Sequence, residues 1–151
     1  MFEIESKSQD EITIITKTKR IRFDLAREEI DAELEVGKIV GPGEFEIGEA
    51  AIRGIAVGEK KTVYDVVINN VHVGIVGDVE EPTILDELGV ANILCTSSVR
   101  AVREIEPKLV VAMGNIDGMV TELKLGARTE KKLKVKSLES LPAALEVVAL
   151  V

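Results

Sequence analysis

The stretch Thr62–Pro82, TVYDVVINNVHVGIVGDVEEP, decides how the rest of the chain is interpreted. It contains two apolar runs, Val63–Ile68 and Val71–Val76, separated by Asn69-Asn70. Asparagine tolerates the left-handed backbone conformation that a two-residue hairpin turn requires. The stretch therefore predicts a β-hairpin whose second strand ends at Gly77-Asp78, where a carboxylate would lie at the end of a strand.

Downstream of the hairpin, the pattern changes from alternation to short helices that alternate with buried apolar runs. The predicted elements are a helix at Pro82–Leu88, a strand at Ala91–Cys95, a helix at Ser97–Ile105, a strand at Leu109–Met113, a helix at Asp117–Leu125 and tail strands at Lys131–Lys136 and Leu145–Val151. Both buried strands follow a helix, which is the order found in parallel crossover units.

Upstream of the hairpin, alternating apolar residues predict an antiparallel meander. Its strands are expected at Met1–Glu5, Glu11–Lys17 and Arg20–Leu25, and further strands are expected at Lys38–Val40, Glu44–Ile47 and Ala50–Val57. Within this region Ala26–Glu35 has a helix-forming composition, so we expect a short helix or an ordered loop there. A meander followed by helix-strand units predicts an α+β or layered fold.

The composition is that of one domain with an aliphatic core. The chain has 151 residues, of which 46% are apolar, and its formal net charge is −8. This charge argues against nucleic acid as a partner, because such binding depends on Lys and Arg. The locally basic segment Arg128–Lys136 is interpreted as a solvated strand face, with an anion-binding or nucleic-acid-binding patch as the alternative.

Cys95 is the only cysteine, so no intramolecular disulfide can form and nothing indicates an oxidising compartment. No apolar run approaches the roughly 20 residues that a membrane-spanning helix needs. We therefore expect a cytoplasmic protein that has no membrane partner.

Four segments in order resemble the metallo-β-lactamase superfamily, in particular its small bacterial hydrolases similar to ascorbate-phosphate lactonases. The segments are Gly41–Ile55 (GPGEFEIGEAAIRGI), Thr62–Pro82, Leu88–Met113 and the tail Lys132–Val151 (KLKVKSLESLPAALEVVALV). The resemblance implies one domain over residues 1–151, with a divergent meander and short helix at 1–35 and a family-like part at 36–151. It also implies an αββα sandwich of two mixed sheets with helices outside and a reduced N-terminal half.

The resemblance implies that the family's metal chemistry is lost. Hydrolases of the superfamily bind zinc or similar ions through a HxHxDH cluster and further histidines, and the metal generates a hydroxide. This chain has one histidine in total and no HxHxDH. It carries Ile75, Glu81 and Gly114 where the family has histidines, and only Asp78 matches a ligand position. We therefore expect no metal, no cofactor and no catalytic residue.

Four residues are candidates for a ligand site. Asp78 is interpreted as a strand-end residue that either caps the helix near Pro82 or is a leftover without a role, with a residual metal ligand as the alternative. Thr96, Ser97 and Ser98 are interpreted as the cap of the next helix, with an anion pocket of hydroxyls and helix N–H groups as the alternative.

Three other features have structural interpretations. His72 is expected on a sheet face, since it has no partner histidine or cysteine. Cys95 is expected to be a small core residue. Glu44 and Glu46 lie two apart on a strand and are expected to form a solvated face.

These observations favour a non-catalytic protein that acts through binding or self-assembly. One alternative is a hydrolase with a rebuilt site around Asp78, Glu81, Thr96 and Ser97, and another is an anion-binding or small-ligand domain at Thr96–Ser98. Loss of an outer helix would expose an apolar sheet in the N-terminal half, so we expect a homodimer or larger homo-oligomer through that face.

Overall fold

A computed structural model describes residues 1–33, 37–58 and 61–151 of the chain. The strands within these ranges are β1 (Phe2–Ser8), β2 (Glu11–Ile15), β3 (Arg20–Asp24), β4 (Glu29–Asp31), β5 (Ile39–Val40), β6 (Gly43–Ile47), β7 (Ala50–Val57), β8 (Lys61–Ile68), β9 (Val71–Gly77), β10 (Ile93–Thr96), β11 (Leu109–Ala112), β12 (Ala127–Glu130), β13 (Leu133–Val135) and β14 (Glu146–Leu150). The helices are α1 (Pro82–Leu88), α2 (Val99–Ile105) and α3 (Ile116–Leu123), together with a 3-10 turn at Leu138–Ser140.

The strands form two sheets. Sheet A has the order β13-β1-β2-β3-β4-β5, and every pairing in it is antiparallel. Sheet B has the order β12-β14-β11-β10-β9-β8-β7-β6 and is antiparallel from β6 to β9 and parallel from β9 to β12. The expectation of two mixed sheets was therefore wrong for sheet A, because short reversals join β1 to β5 in turn and the distant strand β13 runs antiparallel to β1.

The hairpin predicted at the centre of the chain is confirmed as β8 and β9. Asn69 and Asn70 both have positive φ, at 51° and 66°, which is the conformation that this tight turn requires. Tyr64 lies opposite Ile75 in the antiparallel register. Strand β9 also pairs in parallel with β10, so the hairpin joins the antiparallel and parallel halves of sheet B.

Two apolar clusters hold the layers together. The first cluster joins the inner faces of the two sheets, with Ile4, Ile14 and Phe23 from sheet A against Tyr64 and Val66 from sheet B. The rings of Phe23 and Tyr64 lie 5.1 Å apart between centroids and are tilted by 53°. Such aromatic pairs add specific attraction to the burial of apolar area.

The second cluster attaches the helices to the other face of sheet B. Leu85 and Leu88 of α1, Val102 of α2 and Met119 of α3 are buried there. Gly74 of β9 permits this close packing, because a Cβ atom at this position would lie 3.0 Å from Leu88 Cδ2.

The helix expected at Ala26–Glu35 is wrong for the part that the structure describes. Glu29–Asp31 form strand β4, and Ile30 is buried between Phe23 on β3 and Ile39 on β5 in the pairing register. Burial of Ile30 in the sheet outweighs the weak helix propensity of the segment. Glu35 lies outside the described residues.

The outer face of sheet A is charged rather than apolar. Arg22 lies 3.3 Å from Asp31 and 3.7 Å from Glu11, and Arg20 forms an ion pair with Glu5. Each such exposed pair contributes little to stability. Among the described residues of this face, charged side chains alternate with the core residues along the strands, so these residues do not form the apolar surface that we expected to drive dimerisation. The homo-oligomer itself stays a prediction.

No helix among the described residues is long and apolar enough to cross a membrane.

Candidate functional site

A cavity of about 380 Å³ lies where the parallel strands of sheet B end. Its walls include Gly77 and Asp78 after β9, Ser97 after β10, and Gly114 and Asn115 after β11. Parallel strands commonly place ligands outside their carboxyl ends, because loops from neighbouring strands converge there. We call this space the strand-end cavity.

Glycine shapes the wall of the strand-end cavity where β9 ends. Gly77 has a φ of 62°, a conformation that residues with a Cβ atom adopt at a cost. A Cβ atom there would also lie 2.8 Å from Leu25 Cδ1. The chain can therefore turn sharply from β9 into Asp78 while Leu25 from the N-terminal half closes the cavity beside it.

Asp78 lies in the strand-end cavity but does not cap a helix. Its side chain is 76% exposed, and its Oδ1 atom lies 3.4 Å from the Nζ atom of Lys61. The residue at the N-cap of α1 is Glu81, which makes no side-chain capping bond. The capping interpretation of Asp78 was therefore wrong, because three residues separate it from the start of the helix.

Thr96 and Ser98 use their hydroxyl groups within the protein. Thr96 Oγ1 donates to the carbonyl oxygen of Gly77 at 2.6 Å and accepts from the backbone N–H of Ser98 at 3.0 Å. The Ser98 hydroxyl accepts from the N–H of Ala101 at 3.1 Å and donates to Glu80 Oε1 at 3.0 Å. Ser98 thus caps α2 as the sequence predicts, and both side chains are buried. An anion pocket built from these two hydroxyls has no support in this geometry.

Ser97 and Asn115 connect two walls of the strand-end cavity. The N–H of Ser97 donates to Gly77 O at 2.9 Å, and Ser97 O accepts from Asn115 Nδ2 at 3.0 Å. Asn115 has a φ of 51° and precedes α3. A Cβ atom at Gly118 would lie 2.2 Å from Asn115 Oδ1. Glycine at this position therefore leaves room for the side-chain amide of Asn115 beside the first turn of α3.

Sequence reasoning missed Lys61 and Asn115 as residues of the site. A signal for Asn115 was present, since a polar residue directly after a buried parallel strand lies at the edge where ligands bind. A signal for Lys61 was also present, because a hairpin turn at Asn69-Asn70 sets the register in which Tyr64 lies opposite Ile75. Three residues further along each strand, that register brings Lys61 opposite Asp78.

The side chains at the strand-end cavity do not fit a zinc ion. Protein zinc sites combine imidazole, thiolate and carboxylate ligands. Asp10 and Asp78 are the carboxylates that line the cavity, and its described lining contains neither His nor Cys. The described residues contain no group of three His, Cys, Asp or Glu side chains that could hold a metal ion. The ammonium group of Lys61 beside Asp78 adds a positive charge that would repel a metal cation.

His72 lies away from this cavity, on the helix-facing side of sheet B. Its Nδ1 atom is 3.5 Å from Asp65 Oδ1, and Asp65 Oδ2 is 3.6 Å from Arg53 Nη2. Arg53 also donates to the carbonyl oxygens of Glu87 at 2.9 Å and Leu88 at 3.3 Å. The cluster therefore joins three strands to the end of α1, where a cation is favoured by the helix dipole.

Asp65→Asn tests this cluster through pH. Burial raises the pKa of the Asp65 carboxyl, and the nearby His72 and Arg53 offset only part of that effect. A raised folded-state pKa gives a contribution that is complete below the unfolded value of 3.8 and is lost as pH rises through the folded pKa. We expect the unfolding free energy of the wild type, relative to Asp65→Asn, to fall as pH rises from about 4 to 6.

Chemical denaturation across that pH range measures the difference. Repeating the comparison in a His72→Gln background removes the titration of the imidazole. A difference that stays constant or grows with pH in both backgrounds would show that burial does not dominate at Asp65.

Cys95 and the Glu44/Glu46 pair agree with their structural interpretations. Cys95 is fully buried on β10, and burial raises the pKa of its thiol, which disfavours the nucleophilic thiolate. Glu44 and Glu46 are both exposed on β6.

No protein-family model matches this chain, and no curated protein matches it significantly. Among solved structures, it is similar to a protein from Thermotoga maritima that is named as a Zn-dependent hydrolase of the metallo-β-lactamase superfamily. The two superpose with a TM-score of 0.74 at 15% identity, over 99% of each chain. At this identity the likeness shows the fold, which is metallo-β-lactamase-like. The chain is not shortened relative to that neighbour.

Proposed function

We propose that this chain is a non-catalytic protein with a metallo-β-lactamase-like fold that binds a small polar ligand in the strand-end cavity. The observation that carries this proposal is the pairing of Asp78 with Lys61 in a cavity whose described lining lacks imidazole and thiolate groups. Asp78 is the one position that matches a metal ligand of the hydrolases that this sequence resembles. In this chain the neighbour of Asp78 is the ammonium group of Lys61.

The chemistry of the described lining favours binding over hydrolysis. A hydrolase needs an activated nucleophile, which is either a metal-bound water or a side chain with an adjacent base. Ser97 and Thr62 are the hydroxyl residues of the described lining. The hydrogen bonds of Ser97 run through its backbone to Gly77 and Asn115, and the Thr62 hydroxyl donates to Glu28 Oε1 at 2.9 Å. The one histidine lies in the cluster with Asp65 and Arg53, which are on the outer face of sheet B.

The size and polarity of the strand-end cavity support a small polar ligand. Lys61 and Asn115 offer hydrogen-bond donors, and Asp10 and Asp78 offer acceptors. A volume of about 380 Å³ lies within the range of protein sites for small molecules. A ligand that carries both donor and acceptor groups would be complementary to these four side chains.

A turnover screen tests the non-catalytic part of the proposal. We expect no turnover of phosphoesters or lactones above background, with or without added zinc or manganese. Turnover that is abolished by Asp78→Ala would contradict the proposal and favour the alternative of a hydrolase with a rebuilt site.

A thermal-shift screen with amino acids, sugar phosphates, nucleotides and carboxylic acids tests the binding part. Ala26→Phe places a large side chain at the cavity wall, and Ala144→Phe adds the same side chain at an exposed position outside the cavity lining. We expect at least one compound to raise the melting temperature of the wild type and of Ala144→Phe but not of Ala26→Phe. The absence of any shift, or equal shifts in all three proteins, would contradict binding in this cavity.

A further inference from the structure

The two edges of sheet B are free within the described part of the chain. Strand β6 pairs with β7 at one edge, and β12 pairs with β14 at the other. Both edges are largely exposed, including Glu44 and Glu46 on β6 and Thr129 on β12. A free edge presents unpaired backbone N–H and C=O groups that can pair with another strand.

The two edges differ in charge. Strand β12 itself is balanced, because Arg128 lies 3.6 Å from Glu130, and the positive charge at this edge comes from the residues that follow the strand. On β6, neither Glu44 nor Glu46 has a cation within ion-pair distance among the described residues.

The β12 edge is followed by Lys131 and Lys132, and Lys131 is exposed without a described carboxylate partner. The Nζ atom of Lys132 lies 3.9 Å from Glu5 Oε2. Lys132 is therefore already in an ion pair, and Lys131 is the cation that can meet a carboxylate of another molecule.

We infer that β6 of one copy of this chain pairs with β12 of a second copy, so that sheet B continues from copy to copy. Like charges placed opposite each other on neighbouring strands are destabilising. Glu44 and Glu46 therefore oppose pairing of two β6 edges, and the lysines that follow β12 oppose pairing of two such edges. The arrangement that brings unlike charges together is head to tail.

A cavity beside β6 provides room for side chains of the added strand. It has a volume of about 320 Å³ and lies on the helix-facing side of sheet B. Its lining includes Glu44, Glu46 and Asp65 around an apolar floor at Ala51 and Val67. In strand addition, alternate side chains of the incoming strand enter pockets on one face of the sheet while backbone bonds supply affinity.

The face of β12 that would meet this cavity can be identified from the pairing register. Ala127 and Thr129 lie opposite Val147 and Ala149 of β14. Val147 belongs to the apolar cluster under the helices, so Ala127 and Thr129 point to the same side of sheet B as Glu44 and Glu46. Lys131 follows Thr129 by two residues and has no carboxylate partner among the described residues.

Head-to-tail contacts repeat until a ring closes or a chain of copies extends, so the mass should rise with concentration. The contact uses strands β6 and β12, and no residue of either strand lines the strand-end cavity. The inference is therefore independent of the proposed ligand site. The contact also replaces the outer face of sheet A, which is charged, as the interface of the expected homo-oligomer.

Size-exclusion chromatography with light scattering at high micromolar concentration tests the inference with two charge-reversed variants. Glu44→Lys with Glu46→Lys makes both edges basic, and Thr129→Glu with Lys131→Glu makes both acidic. We expect the wild type to exceed the monomer mass and each variant alone to be a monomer. An equimolar mixture of the two variants should regain the larger mass, because each supplies the edge that the other lacks.

Asp86→Lys with Glu104→Lys is the matched control, since it changes net charge as much as the first variant at exposed positions on α1 and α2. This control should assemble like the wild type. A monomeric wild type, assembly of either single variant, or a mixture that stays monomeric would each overturn the inference. Circular dichroism of all variants establishes that they are folded.

Discussion

Phe23→Ala is expected to lower the free energy of unfolding by about 3–5 kcal/mol, the range for truncating a buried aromatic side chain. Phe23 is fully buried on β3 of sheet A. Its ring packs against Tyr64 of β8 in sheet B. Because this contact spans the two sheets, truncation leaves a void at their interface that neither sheet can fill by moving alone.

Denaturant unfolding followed by circular dichroism measures this loss, with Val40→Ala as the control. Val40 is 65% exposed on the short edge strand β5, so its truncation should cost less than about 0.5 kcal/mol. Equal effects of the two substitutions would contradict the packing of sheet A against sheet B through Phe23.

Thr96→Val is expected to lower the free energy of unfolding by about 2–3 kcal/mol while keeping the shape of the side chain. The Thr96 hydroxyl bonds to Gly77 O at 2.6 Å and to the N–H of Ser98 at 3.0 Å. Gly77 O retains the bond from the N–H of Ser97. The buried N–H of Ser98 loses the Thr96 hydroxyl as its acceptor. A buried donor without an acceptor lowers the free energy of unfolding.

Thr129→Val is the matched control, because Thr129 is exposed on strand β12. Its hydroxyl has no hydrogen-bond partner among the described residues. This substitution should change stability by less than about 0.5 kcal/mol in dilute solution. A loss at Thr96 no larger than at Thr129 would show that the hydroxyl does not hold β9 and β10 together at the cavity wall.

The central hairpin was predictable from sequence because its signals are local. Asn69 and Asn70 between two apolar runs specify the turn, and the structure places both residues at positive φ. The three helices and the parallel strands β10, β11 and β14 were predictable for the same reason, since apolar periodicity marks the elements and Pro, Ser or Gly marks helix ends. Strand β12 was not predicted, because Ala127–Glu130 is mostly polar and exposed.

Sheet A was harder to predict because its pairings join distant parts of the chain. Strand β13 pairs with β1, so Phe2 lies opposite Val135 across almost the whole sequence. Strand β4 forms because Ile30 completes a buried row with Phe23, although its neighbours favour a helix in isolation. Tertiary packing decides such short segments, and composition alone does not reveal it.

The family resemblance pointed to the region of the candidate site and to some of the residues that line it. Asp78 and Ser97 line the strand-end cavity, whereas Thr96 and Ser98 are buried in hydrogen bonds beneath it. Lys61 approaches Asp78 across a hairpin, and Asn115 reaches Ser97 over 18 positions of sequence. The contact of Lys61 follows from the register of the predicted hairpin. The contact of Asn115 follows from strand order and helix position, so no local motif predicts it.

The metal content of the purified protein tests the central claim most directly. Elemental analysis after expression with zinc, manganese and iron in the medium, followed by gel filtration, gives the amount of each metal per chain. We predict substoichiometric amounts of all three that are the same in the wild type and in Asp78→Ala. One or more equivalents of a metal in the wild type, lost in Asp78→Ala, would contradict a non-catalytic binding protein and identify Asp78 as a metal ligand.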